Sequence, residues 1–245
     1  MFKPRFALCV DGGFIQKVLT KRLGHFPSAA DVLAECNRII AHDAVSGCDL
    51  LRIYYYDAPP AQTSLTNPLD GSDLVLQNTD RCRDAMKLHA DLASAPNVAM
   101  RMGDVVVGGW KVSENTVGKL ARGPREIGPN DLKPNIRQKG VDIRIGLDIA
   151  RLSLRDTVRS LVVVTADSDF VPAFKFARRE GIRVYLDTLG VRPRPELIEH
   201  SDLRLTAIPT PEEVKREKQR RRRQRAKLAK SEEPRTSAVE SEEPV

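Results

Sequence analysis

The sequence predicts an α/β fold, a doubly wound and mostly parallel Rossmann-like sheet flanked by helices. Three observations carry this. With 245 residues, 41% apolar and 30% charged, the chain has the balance of a globular protein with a buried core. Short β-rich runs alternate with stretches of helical spacing, the order that gives a sheet with helices on both faces. The run Leu161-Val162-Val163-Val164 is continuously apolar, as a strand covered on both sides must be.

Residues 5–10 predict a short buried strand that ends at Asp11. Residues 28–44 carry Val32, Cys36, Ile39 and Ile40 at helical spacing, with Ser28 as N-cap. A β-rich run follows at 50–56, and Pro59-Pro60 stops it. Residues 57–78 read as a long loop, 79–94 as a helix, and 98–102 as a strand. The run Asp104-Val105-Val106-Val107 is also strand-sized. A second irregular stretch covers 113–137, rich in Gly and Pro, and its length predicts a functional loop. Then come a helix over 140–154, a central strand over 160–165, a helix over 169–180 closed by Gly181, and a strand over 182–186.

The composition is not that of a collagen-like, disulfide-scaffold or wholly disordered chain. No apolar run approaches the roughly 20 residues of a membrane helix, so no membrane partner is expected. The N-terminal apolar stretch Phe6 to Val10 is cut short by Asp11, unlike a secretory leader. Cys9, Cys36, Cys48 and Cys82 form no C-x-x-C pair and read as free thiols. The expected address is cytoplasmic.

Beyond residue 210 the composition changes, which predicts two regions, a domain over 1–210 and a charged tail over 211–245. The tail is basic over 215–230, with ten Lys/Arg against one acid, and acidic over 231–245. It has no apolar stripe, so a solvated, disordered or helical tail is expected.

The informative residues are aspartates at strand ends. Asp11 closes the first strand and precedes Gly12-Gly13; Asp167 and Asp169 follow the central strand in Thr165-Ala166-Asp167-Ser168-Asp169-Phe170. In doubly wound sheets, ligands bind beyond the carboxyl ends of the strands, where the winding reverses. If the first strand and the 160–165 strand are neighbours there, Asp11, Asp167 and Asp169 converge. Asp142, in the first turn of the preceding helix, leans over the same patch. Clustered carboxylates cannot all ionise without a counter-charge. Hard oxygen donors with no His or Cys suit Mg²⁺ or Mn²⁺ rather than zinc. Such an ion can clamp a phosphodiester for in-line attack. Each aspartate also has a plainer reading: Asp169 and Asp142 as first-turn helix acids, Asp11 as a turn residue, Asp148 as a mid-helix surface or paired acid.

Taken together, Asp11-Gly12-Gly13, Lys139-Gly140-Val141-Asp142 with Asp148 six residues on, and Ala166-Asp167-Ser168-Asp169-Phe170-Val171-Pro172 resemble the motifs of NYN-domain proteins of the LabA-like group, within the PIN-like superfamily of metal-dependent ribonucleases. The resemblance covers about residues 5–208 and includes Tyr54-Tyr55-Tyr56-Asp57-Ala58-Pro59. It implies a PIN-like sheet, a site binding Mg²⁺ or Mn²⁺, and hydrolysis of RNA phosphodiester bonds, expected to be endonucleolytic. It places Asp11, Asp142, Asp167 and Asp169 at the catalytic and metal positions, with Asp148 as a further metal-site acid. The chain departs from the pattern at two places. Phe14 stands where many family members have Asn, and Ala166 stands where Gly is common.

RNA is the expected partner. Arg220-Arg221-Arg222-Arg223 in the tail suits backbone binding by counterion release. Arg122, Arg125, Arg137 and Lys139 are further candidates for backbone contact. Trp110 reads as a half-buried aromatic rather than a base-stacking one, and no histidine is assigned to catalysis. No small-molecule organic cofactor is expected, and a homo-oligomer is compatible with the sequence. The alternative from another class is a catalytically weak or inactive RNA-binding or regulatory module with the same fold. A haloacid-dehalogenase-type phosphatase fits less well, because its second Asp would fall at Gly13. A topoisomerase-primase-type metal site expects Glu where Asp11 stands.

Overall fold

The computed structural model describes residues 3–206. Its elements follow in the order β1 (Arg5–Asp11), α1 (Gly12–Leu23), α2 (Ala29–Ile40), β2 (Asp49–Asp57), β3 (Ser64–Thr66), β4 (Asp73–Val75), α3 (Asp80–Ala93), β5 (Val98–Met102), β6 (Asp104–Val112), α4 (Glu114–Leu120), β7 (Leu132–Lys139), α5 (Val141–Leu154), β8 (Ser160–Val164), α6 (Val171–Arg179), β9 (Arg183–Asp187), α7 (Pro195–Glu199) and β10 (Leu203–Arg204).

Six strands form one sheet in the order β10-β9-β8-β1-β2-β5, and every pairing in it is parallel. The chain winds outward from β1 through β2 to β5, then returns to lay β8 on the other side of β1 and winds on through β9 to β10. The reversal therefore falls between β1 and β8, where Phe6 to Val10 pair with Ser160 to Val164. This is the doubly wound arrangement that the strand pattern predicts, and it sets Asp11 and the segment after β8 side by side.

The side-chain alternation of β1 explains why both of its faces are apolar. Phe6, Leu8 and Val10 join a core with Ile15 and Leu19 of α1, Val32 and Ile39 of α2, and Leu88 of α3. Ala7 and Cys9 point the other way, into a core with Ile145 and Ile149 of α5 and Phe174 of α6. β8 is buried along its whole length for the same reason. Ser28 caps α2 as expected: its side chain accepts from Asp31 N, and Asp31 reciprocates to the Ser28 backbone.

Several segments differ from the sequence reading, and one is 57–78, which is read as a long loop but holds the antiparallel β3–β4 hairpin. Helix α1 starts immediately after Asp11, where Gly12-Gly13, poor helix formers, hide it. Gly12 is required there by space, since a Cβ would lie 2.6 Å from the Tyr56 carbonyl oxygen. The stretch 113–137 is not one irregular loop, because it contains α4 and much of β7. Strand β7 pairs antiparallel with β6 in a two-stranded ribbon, and Pro134 sits opposite Trp110 beside a register shift. Proline is tolerated in strands mainly at such irregularities. Trp110 is half-buried and its Nε1 donates to the Thr66 carbonyl at 2.8 Å, tying this ribbon to the β3–β4 hairpin.

Among the described residues, no helix is long and apolar enough to cross a membrane. The predicted boundary at 210/211 and the basic 215–230 and acidic 231–245 runs lie outside the described residues.

Candidate active site

Asp11 ends β1 and caps α1. Its Oδ1 accepts from Phe14 N at 3.0 Å, and its Oδ2 accepts from Thr165 Oγ1 at 3.0 Å. Thr165 follows β8 directly and is fully buried. Its hydroxyl also accepts from Asp167 N at 3.1 Å, and Asp167 Oδ1 accepts from Asp169 N at 3.0 Å. One threonine thus ties Asp11 to the loop carrying Asp167 and Asp169 across the winding reversal. Asp142 arrives from the first turn of α5, after Gly140 has turned the chain at φ 74°.

The electrostatics show that these acids share one space. Burial raises Asp11 from the usual 3.8 to about 6, with repulsion from Asp142 and Asp167 adding to it against the hydrogen bonds from Phe14 and Thr165. Asp142 is also raised, by burial first and then by Asp167 and Asp169. Asp11, Asp142 and Asp167 line a hollow of about 590 Å³ together with Phe14, Lys17 and Arg194. Arg194 Nη1 donates to Ser168 Oγ at 3.3 Å, which holds its guanidinium at the rim beside Asp167.

A divalent cation is the natural counter-charge for this donor set. Carboxylate oxygens that repel one another match a hard ion in chemistry. Their spacing is open, since among the described residues no three His, Cys, Asp or Glu side chains are grouped closely enough to hold a metal as they stand.

Asp148 is not part of this group. It lies six residues past Asp142, which at about 100° per residue turns it some 240° around α5, onto another side of the helix. There its Oδ2 accepts from Arg101 Nε at 2.9 Å and from Tyr56 Oη at 3.1 Å. It lines a separate hollow with Arg52, Arg151 and Arg155. The paired mid-helix reading is the one the structure shows.

The candidate backbone-contact residues divide. Lys139 ends β7, three residues before Asp142, and Arg137 on the same strand is exposed, with its Nε donating to Asn135 Oδ1 at 3.3 Å. Arg122 is exposed beyond α4, and Arg125 is held by an ion pair with Asp131. Arg220, Arg221, Arg222 and Arg223 lie outside the described residues.

Sequence reasoning missed Lys17, Thr165 and Arg194. With α1 recognised, the spacing of Phe14, Lys17 and Lys21 would have put all three on one face; Arg194 gave no signal. Asp57, the strand-end acid of β2, enters the sequence reading only as part of the Tyr54–Pro59 motif and with no role, and it is only 2% exposed. The logic that singles out Asp11 applies equally to this residue.

Residues 107–203 match the NYN domain family. The matched stretch holds Asp142, Asp167 and Asp169 and bears out the family resemblance over those motifs; Asp11-Gly12-Gly13 and Tyr54 to Pro59 lie outside it. The NYN match supports the nuclease class at that coarse level. An uncharacterized protein of Methanocaldococcus jannaschii is 26% identical over 107 residues, 44% of this chain. The match spans 42% of that relative's length. A crystal structure of a protein of unknown function from Vibrio parahaemolyticus RIMD 2210633 superposes with a TM-score of 0.46 at 13% identity, covering 83% of this chain and 92% of that one.

Proposed function

We propose that this protein is a divalent-metal-dependent ribonuclease that hydrolyses RNA phosphodiester bonds at the Asp11–Asp142–Asp167 hollow. The observation that carries the reading is the convergence of mutually repelling carboxylates at the winding reversal, in a hollow that also presents Lys17 and Arg194. Asp11, Asp142 and Asp167, with Asp169 beside them, would hold Mg²⁺ or Mn²⁺. When bound, such an ion supplies a Lewis acid for the phosphoryl oxygen and offsets the charge of substrate and carboxylates.

The chain's own residues have separate tasks. Thr165 fixes the orientation of Asp11 by donating to its Oδ2. Lys17 and Arg194 draw the phosphate backbone to a site that would otherwise repel it. Arg137, Lys139, Arg122 and the tail arginines 220–223 would extend that attraction along the strand, with the salt dependence of counterion release. Asp142 and Asp167 are exposed, so a chain can pass the hollow without presenting an end, which favours endonucleolytic cutting. Free thiols at Cys9, Cys36 and Cys82, all buried, fit a reducing, cytoplasmic setting.

The alternative is an RNA-binding module without turnover. It is favoured by the open donor spacing and by Phe14, which puts an apolar wall where a hydrogen-bonding side chain could have held water or phosphate.

The test is cleavage of single-stranded and structured RNA by purified protein in Mn²⁺, Mg²⁺ or EDTA, beside Asp167→Asn. Asparagine can still accept from Asp169 N, so the loop geometry survives the change. Metal-dependent cutting that the variant loses is expected. No cutting by folded, metal-supplied protein across the panel would overturn the nuclease reading in favour of the binding module.

A further inference from the structure

A second, smaller hollow of about 190 Å³ lies beside the acidic one, between α1, the end of β2, α3 and the β6–β7 ribbon. Asp57 forms its floor. Oδ1 accepts from Ala58 N at 2.8 Å and Gln138 Nε2 at 2.7 Å, and Oδ2 accepts from His89 Nε2 at 2.7 Å and from Gln16 Nε2. Gln16 Nε2 also reaches Tyr55 Oη at 3.0 Å, and the Tyr55 ring meets His89 edge-on. Four donors from four parts of the chain therefore fix one buried carboxylate.

A carboxylate only accepts, so both glutamines must turn Nε2 toward Asp57 and Oε1 away from it. Among the described residues neither Oε1 accepts a hydrogen bond. That of Gln138 points at Gly13, where a Cβ would stand 3.6 Å from it and 3.6 Å from Asp11 Oδ1. Gly13 lines the acidic hollow and Gln138 lines this one, so the two hollows are neighbours across that contact. The walls are apolar, with Leu76, Ala85, Val105 and Ile136 among them, and Arg81 stands at the mouth. The Arg81 guanidinium lies 4.2 Å from the Phe26 ring centroid, which holds it as a flat platform.

We infer that this hollow is a base subsite, taking one nucleobase of the RNA strand next to the phosphate bound at the acidic cluster. The inference rests on the nuclease reading of the neighbouring site. The volume is below the roughly 300–1,000 Å³ of pockets that enclose drug-sized ligands and suits a single ring system. Apolar walls take the ring faces, and an arginine plane at the mouth is a stacking surface of the kind that RNA-binding proteins use for unstacked bases. The glutamine Oε1 atoms meet the N–H groups on the base edge. Because Asp57 has already spent its lone pairs on protein donors, the floor is set before the base enters.

The test uses the full chain in EDTA, titrated with the 5′-monophosphates of adenosine, guanosine, cytidine and uridine, with the His89 ring followed by NMR. Ala85→Leu fills the hollow without touching the acidic cluster, and Arg81→Ala removes the platform from an exposed position that does not endanger folding. At least one nucleotide is expected to shift the His89 signal, with the shift abolished in Ala85→Leu and affinity lowered at least about fivefold in Arg81→Ala. No His89 shift with any nucleotide overturns the subsite, as does wild-type binding by both variants. Since metal is absent, nucleotide binding by a protein that never cuts RNA would keep the subsite and remove the nuclease reading. Metal-dependent cleavage without any His89 shift would do the reverse.

Discussion

Replacing Asp11 with Asn removes a charge that the fold holds half-buried among other carboxylates, while keeping the shape of the group. The Asn Oδ1 can still accept from Phe14 N, and asparagine is as good an N-cap as aspartate. Its Nδ2 then faces Thr165 Oγ1, which has lone pairs to accept with. In the native protein, Asp11 titrates near 6 instead of 3.8. At about 1.4 kcal/mol per pH unit, that difference is about 3 kcal/mol. Between pH 4 and 6 the folded state binds the proton more tightly than the unfolded chain, so stability falls as pH rises through that window, and the full penalty is present above pH 6. The metal-free Asn variant should therefore be more stable than the native protein by about 1–3 kcal/mol at pH 8, the lower end allowing for burial of the amide. The gain should shrink toward zero by about pH 4. Urea denaturation in EDTA at pH 8, 6 and 4.5 measures it. A variant less stable than the native protein at pH 8, or a difference that does not change with pH, would refute the repulsion reasoning.

Three further outcomes are expected. Gly12→Ala places a Cβ 2.6 Å from the Tyr56 carbonyl, against backbone that cannot give way; calorimetry should show a loss of roughly 1–3 kcal/mol. Asp57→Ala strands the donors of Gln16, His89 and Ala58 away from water, while the exposed Gln138 can turn to solvent, and chemical denaturation should register a loss of about 2–3 kcal/mol. Removing residues 211–245 takes away 11 Lys/Arg and 8 Asp/Glu. RNA affinity should drop at low salt and its slope against salt should flatten, as read by anisotropy titrations, because the basic run releases counterions on binding.

The parts of the fold legible in the sequence are those where a local pattern and the tertiary demand coincide. β8 reads as a central strand because burial on both faces leaves no place for a polar side chain, and Ser28 reads as a cap because its partner Asp31 is three residues away. Where tertiary contact decides the local structure, the pattern misleads. Gly12 lowers helix propensity, yet it is there because β2 presses on the start of α1. Pro134 and the Gly108-Gly109 pair look like loop punctuation, and they mark an irregularity inside a paired ribbon. In the candidate site, the convergence of Asp11, Asp142 and Asp167 is legible from strand ends and a helix start. That Asp148 stands apart from them is not, because motif spacing does not specify a helix face, and Arg101, its partner, is 47 residues away. The Asp57 floor was invisible as a unit, since Gln16, His89 and Gln138 meet only through the folded sheet.

The most direct measurement is the Mn²⁺-dependent rate of RNA cleavage by Asp142→Asn and Asp148→Asn, two acids on one helix that the structure assigns to different places. Asp142→Asn should lose on the order of 10² or more in rate, in the range seen when a transition-state-stabilising group is removed. Asp148→Asn should stay within about fivefold of the native rate, since Asp148 is held by Arg101 and Tyr56 in a separate hollow away from the acidic cluster. Equal losses in both variants, or a larger loss in Asp148→Asn, would contradict an active site built on Asp11, Asp142 and Asp167.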